Sequence, residues 1–115
     1  MDLSVVPVQQ GQWRPLSVLE KDVEGKASDY AESIGYISLK INVVGQRGWP
    51  DHLFVNTHGH HVWIEFKKPG EKPSKLQDYR LQQLREQGAE AHWTDNLARA
   101  KDILDAAVDT ARVST

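Results

Sequence analysis

Apolar positions change period several times along this chain, and each change marks an element. Leu19, Val23, Ala27, Tyr30, Ala31 and Ile34 recur at helical spacing, a stripe that predicts a helix over about 17–34 stopped by Gly35. From Tyr36 to Val44 the period is two. Ile37, Leu39, Ile41 and Val43 alternate with Tyr36, Ser38, Lys40 and Asn42, so this segment predicts a strand with one strongly apolar face. Leu53 to Thr57 and His61 to Lys67 are short runs rich in β-branched and aromatic residues, divided by the polar turn His58-Gly59-His60, and they predict a hairpin. Pro69, Gly70 and Pro73 break the pattern before a second helix, about 75–87, which Gly88 closes. A short strand over about 89–93 and a third helix over about 96–111, striped by Leu97, Ala100, Leu104, Ala107 and Val108, follow, with Thr94 or Asp95 expected to cap that helix. Residues 1–15, carrying Pro7, Gln9-Gln10-Gly11 and Pro15, predict an irregular arm. The order αβββαβα, with hairpin strands apolar on both faces, implies an α/β fold: a central mixed sheet flanked by helices.

Length changes this picture little: 115 residues form one domain, 1–115, large enough for a single core. No apolar run approaches the ~20 residues that span a bilayer, so a soluble protein without a membrane partner is expected. The chain has no cysteine, which excludes disulfides, thiolate metal sites and cysteine nucleophiles. Net charge is −2, yet the charges are unevenly placed. Between residues 40 and 85 stand eight bases (Lys40, Arg47, Lys67, Lys68, Lys72, Lys75, Arg80 and Arg85) against four acids. Such a band suits contact with phosphates.

The candidate chemistry lies inside that band. Side chains alternate faces along a strand, so Glu65 and Lys67 share a face and Phe66 takes the other. With a three-residue turn at 58–60, Asp51 falls opposite Lys67 and diagonal to Glu65 on the same face; an even loop without a bulge would send it to the opposite one. Leu53, Val55 and Trp63 share that face, which sets the acids at the rim of an apolar layer where unpaired charge is costly. Two carboxylates able to hold a divalent cation, with an ammonium beside them, are equipment for phosphodiester hydrolysis.

Arg47-Gly48-Trp49-Pro50-Asp51 followed by Glu65-Phe66-Lys67 resembles the PD-(D/E)xK nuclease signature and, through Arg47-Gly48, its VRR-NUC branch. Glu20-Lys21-Asp22-Val23 in the first helix and Ser74-Lys75-Leu76-Gln77 at the start of the second match the family's acidic helix and its Ser-x-x-Gln in the expected order, so the resemblance covers roughly residues 17–94. It implies a restriction-endonuclease-like αβββαβ core with an added C-terminal helix. It also implies that Asp51, Glu65 and the backbone carbonyl of Phe66 bind Mg²⁺ or Mn²⁺, that Glu20 completes the site, and that Lys67 and Gln77 serve catalysis. Small members of the branch resemble phage-encoded homodimers that cut branched DNA such as Holliday junctions, in the cytoplasm of a bacterial host. Other readings are a single-strand or flap nuclease, or a DNA-binding module without catalysis on the same fold.

Several of these residues have structural rivals. Glu20 follows Ser17 by three, and Gln77 follows Ser74 by three, both capping-box spacings; Glu24, one turn on, is the substitute acid for Glu20. Lys40, Arg47, Lys72, Lys75, Arg80 and Arg85 are phosphate-contact candidates. Lys68 reads as a surface charge and Trp49 as packing or a base stack. His58, His60 and His61 offer zinc-binding imidazoles but sit at a hairpin tip away from the acids, where a solvated turn is expected.

Overall fold

The computed structural model describes residues 16–112, with side chains from residue 21. The arm at 1–15 and the side chains of Ser17 and Glu20 lie outside the described residues. Three helices and four strands alternate as α1 (Leu16–Ser33), β1 (Ile37–Lys40), β2 (His52–Val55), β3 (His61–Phe66), α2 (Lys75–Glu86), β4 (Glu90–Thr94) and α3 (Leu97–Ala107). The sheet runs β1-β2-β3-β4 in space, with β1, β2 and β3 antiparallel and β3 parallel to β4. This is the α/β arrangement expected from the pattern.

The even-numbered side chains of β2 and β3 build the core. Phe54, Val62, Ile64 and Phe66 pack with Ala27 and Ala31 of α1 and with Ala100, Ile103, Leu104 and Ala107 of α3, all buried. Small alanines let both helices approach, and Phe54 meets Tyr36 and Phe66 edge to face at ring separations of 6.2 and 6.5 Å. The Tyr36 hydroxyl donates to the Leu104 carbonyl at 2.8 Å, and burial pushes its pKa up to about 12. On the other face, α2 buries Leu81 beside Ala91 of β4, and Arg85 Nε donates to the Ala91 carbonyl at 2.9 Å.

Three expectations need correction. Strand β1 ends at Lys40, and its expected apolar face is open: Ile37 and Leu39 are exposed while Tyr36 is buried. That segment therefore turns its polar-looking parity toward the core. The hairpin turn occupies Thr57–Gly59, one residue earlier than expected, because Asn56 still pairs with His60 (Asn56 N–H to His60 O, 3.0 Å) and Gly59 takes φ 80°, the left-handed residue that a three-residue loop needs. Asn56 is buried and holds the turn: its Oδ1 accepts from His58 and His60 N–H, and its Nδ2 donates to the carbonyls of Ala107 and Thr110, each at 2.8–3.0 Å. Finally, Asn96 caps α3, accepting from Arg99 N–H at 2.8 Å. Asp95 is diverted to the Gly70 N–H and Thr94 to the Asn96 backbone.

Candidate metal and active site

The turn's displacement resets the hairpin by two residues. His52 pairs with Ile64 and Leu53 with Trp63, so continuing the register by one residue sets Asp51 beside Glu65 rather than Lys67. Parity is unchanged, and both acids keep the face that carries Leu53 and Trp63. The backbone at Asp51 is held by β1, since Ile41 N–H donates to Asp51 O at 2.8 Å, and Pro50 before it is fully buried.

Helix α1 supplies a third acid. Glu24 Oε2 lies 2.7 Å from Lys40 Nζ, which also meets Asp51 Oδ2 at 3.0 Å. His52, 5% exposed, places Nδ1 3.3 Å from Glu24 Oε2 and 4.0 Å from Asp51 Oδ1. Its Nε2 bonds Ser28 Oγ at 3.2 Å, and Ser38 Oγ donates to Ser28 Oγ at 2.9 Å, which fixes the ring between α1 and β1. The Nδ1 atom is buried without an aligned hydrogen-bond partner, so its link to Glu24 is one of proximity. Glu24's carboxyl is nevertheless lowered to about 2, first by the His52 contact and then, against the opposing effect of burial, by Lys40. At Lys40 burial disfavours the charge, but the bonds to Glu24 and Asp51 outweigh it and raise its pKa.

Ligand atoms of Glu24, Asp51 and His52 all lie within 4.8 Å of one another. Two hard oxygens with an imidazole form a donor set that suits a divalent cation. The Lys40 ammonium bridges both carboxylates.

Beside this cluster, Glu65, Gln77 and Lys67 form a short relay. Glu65 is 7% exposed on β3; Gln77 Nε2 donates to its Oε2 at 3.2 Å, and Gln77 Oε1 accepts from Lys67 Nζ at 3.3 Å. The same Gln77 closes a capping box with Ser74, its Oε1 accepting from Ser74 N–H at 2.9 Å while its own N–H donates to Ser74 Oγ at 3.1 Å. The cap and the contacts to Glu65 and Lys67 thus fall to one residue. Lys67 also lies 3.7 Å from Glu71, and the Phe66 ring is buried in the core.

The basic band divides. Lys72 and Lys75 are exposed, whereas Arg80 reaches Arg47 O at 3.0 Å and Arg85 ties α2 to β4. Lys40 faces the acids instead of solvent alone. Sequence reasoning passed over His52, Ser28 and Ser38. Their signal was positional: His52 shares the parity of the core-facing Phe54, and Ser28 follows Glu24 by one helical turn, so strand and helix bring them together. Of the turn histidines, His60 joins Glu90, while His58 and His61 remain exposed.

A solved structure described as a VRR_NUC domain superposes with a TM-score of 0.72 at 24% identity, covering 76% of this chain and 95% of that one. The chain has the VRR-NUC fold. The resemblance read from its motifs is borne out at that level, and so is the αβββαβ architecture with its added helix. Over 60 residues, 52% of this chain, it is 35% identical to "Putative nuclease p44" of Acyrthosiphon pisum secondary endosymbiont phage 1. That match spans 64% of the relative's length. No family model matches the chain. No described helix of this VRR-NUC fold is long and apolar enough to cross a membrane.

Proposed function

We propose that this chain is a metal-dependent DNA endonuclease that hydrolyses phosphodiester bonds. The observation that carries the reading is the convergence of Glu24 and Asp51 on one cation, with Glu65, Gln77 and Lys67 alongside. The fold and a phage relative whose name includes "nuclease" support it.

Asp51, Glu65, the Phe66 carbonyl and a helix-one acid would hold Mg²⁺ or Mn²⁺. Glu24 is our choice for that acid, in place of Glu20, because it already shares a cation with Asp51. The chemistry such an ion supplies when bound is Lewis-acid polarisation of the scissile phosphate and acidification of a water. Lys67 positions that water or offsets the charge that builds on the phosphorane oxygens. Gln77 keeps Glu65 and Lys67 at their mutual distance. Lys40 must release its carboxylates when a divalent ion enters, and its ammonium is then free for a phosphate. Arg47, Lys72 and Lys75 line the approach for the DNA backbone, while Arg80 and Arg85 tie α2 to the Asp51 loop and to β4.

Branched DNA as substrate and a homodimer as the working form are the finer proposal, since a two-fold dimer presents two sites to two strands. The exposed Ile37 and Leu39 on edge strand β1 offer an apolar surface for pairing. The test is supercoiled-plasmid nicking with Mg²⁺ or Mn²⁺ and after EDTA, run beside a panel of labelled junctions, flaps, single strands and duplexes and a mass measurement in solution. Nicking that EDTA abolishes is expected. Nicking that persists in EDTA overturns the metal role. A monomer that cuts junction and linear duplex equally removes the resolvase reading and leaves the nuclease.

A further inference from the structure

The loop that delivers Asp51 is latched onto α2. Gly48 takes φ 87°, and a Cβ there would lie 2.6 Å from Leu76 Cγ, so a residue without a side chain is what lets the loop rest on the helix. Arg80 completes the latch: its Nε donates to the Arg47 carbonyl at 3.0 Å and its guanidinium lies 4.5 Å over the Trp49 ring. The same guanidinium stands 5.9 Å from the Tyr79 ring. Trp49 is held in turn by its Nε1 donating to Gln46 Oε1 at 2.8 Å.

This packing leaves apolar surface facing solvent. Leu76 and Tyr79, three residues apart on one helix face, are 41% and 57% exposed. Gln77, between them in sequence, turns inward to Glu65 and Lys67, so the exposed pair adjoins the candidate site. Arg47, Lys72 and Lys75 are exposed on the same segments. An aromatic ring and an aliphatic side chain within a basic surround, beside a site for phosphates, complement one occupant best: the face of a nucleobase whose phosphates lie against the bases. A base inside a continuous duplex hides that face in its stack.

We infer that Tyr79 and Leu76, backed by the Arg80–Trp49 pair, form a stacking platform for an unpaired nucleobase next to the scissile phosphate, so that DNA with single-stranded character there is bound in preference to continuous duplex. The inference rests on the nuclease reading above and names the substrate feature that the site selects.

The test measures binding by fluorescence anisotropy, without divalent metal, for a duplex with a single-stranded arm and for the blunt duplex, alongside metal-dependent plasmid nicking by the wild type. Tyr79→Ala is expected to weaken binding of the armed duplex about tenfold, the loss of one stacked base, and of the blunt duplex less than about twofold, with Tyr79→Phe restoring the wild-type value. Equal weakening on both DNAs, or none on either, overturns the platform, as does a stable dimer in sedimentation that Tyr79→Ala or Leu76→Ala dissociates, which would assign this face to a second copy of the chain. If the wild type nicks plasmid while the platform fails, the nuclease reading survives alone. Neither nicking nor DNA binding by the wild type overturns both.

Discussion

Two ends of one sheet each join a glutamate to histidine, and they differ in what is left over. At the hairpin-tip end, Glu90 accepts from His60 Nε2 at 2.7 Å and from His92 Nε2 at 2.8 Å, one imidazole per oxygen. A carboxylate only accepts, so both rings present N–H to it and each oxygen is engaged by an imidazole. At the other end, Glu24 has one imidazole at its side, a second acid in Asp51, and a lysine drawn in between them. The pKa of each glutamate falls, against the opposing pull of burial. Lowered pKa values therefore do not separate the two. Convergence of two acids on one ammonium does: Glu24 and Asp51 meet at Lys40, whereas Glu90 stands without a second acid in its contacts with His60 and His92.

The contrast can be broken most severely at the acids. Asp51→Asn and Glu65→Gln should each reduce metal-dependent nicking by more than about 10²-fold, beyond what loss of an outer partner costs, while circular dichroism shows an intact fold. Full nicking in both variants would end the site assignment. Glu24→Gln should lose about tenfold or more, and Glu20→Gln should stay near wild type, since glutamine still closes a capping box. The reverse ranking would return the helix-one role to Glu20.

At the hairpin-tip end, Glu90→Gln should leave nicking unchanged and lower stability by about 1 kcal/mol, a charge-assisted pair discounted for partial exposure; loss of activity with stability retained would mean the two ends are coupled. A subtler separation comes from acid. Glu24's folded-state pKa is depressed, so the stability it contributes is complete above the ordinary value of 4.5 and is lost as pH falls toward about 2. The urea-denaturation difference between wild type and Glu24→Gln should therefore shrink over that window. A difference that stays constant across it would show that the depression belongs to the unfolded chain as well. Smallest of all, Lys72→Ala or Lys75→Ala should weaken binding to every DNA sequence alike and reduce the salt slope by about one charge.

How much of this was legible in the sequence follows from which forces act locally. Stripes and alternation place all seven described elements, although at β1 the apolar parity faces outward, and the parity argument puts Asp51 and Glu65 on one face because a turn shift of one moves the register by two and preserves it. The exact opposition was out of reach. It depends on Asn56, whose choice of turn is made by carbonyls of Ala107 and Thr110 more than fifty residues away. Helix caps were hard for a related reason: Asp95 has better business with Gly70, so Asn96 takes the cap. The link between Glu24 and Asp51 needs the rotation of α1 about its axis, set by Ala27 and Ala31 against the sheet, and one-dimensional spacing offers both Glu20 and Glu24 equally.

Gln77 carries a further implication about polarity. A primary amide has a donating end and an accepting end, and at Gln77 the backbone N–H of Ser74 can only donate, so the oxygen must face it and Lys67. The nitrogen is then committed to Glu65. A helix cap thereby serves as a polarity key: the first turn of α2 sets which way the amide lies, and through it which end meets an acid and which end meets a base.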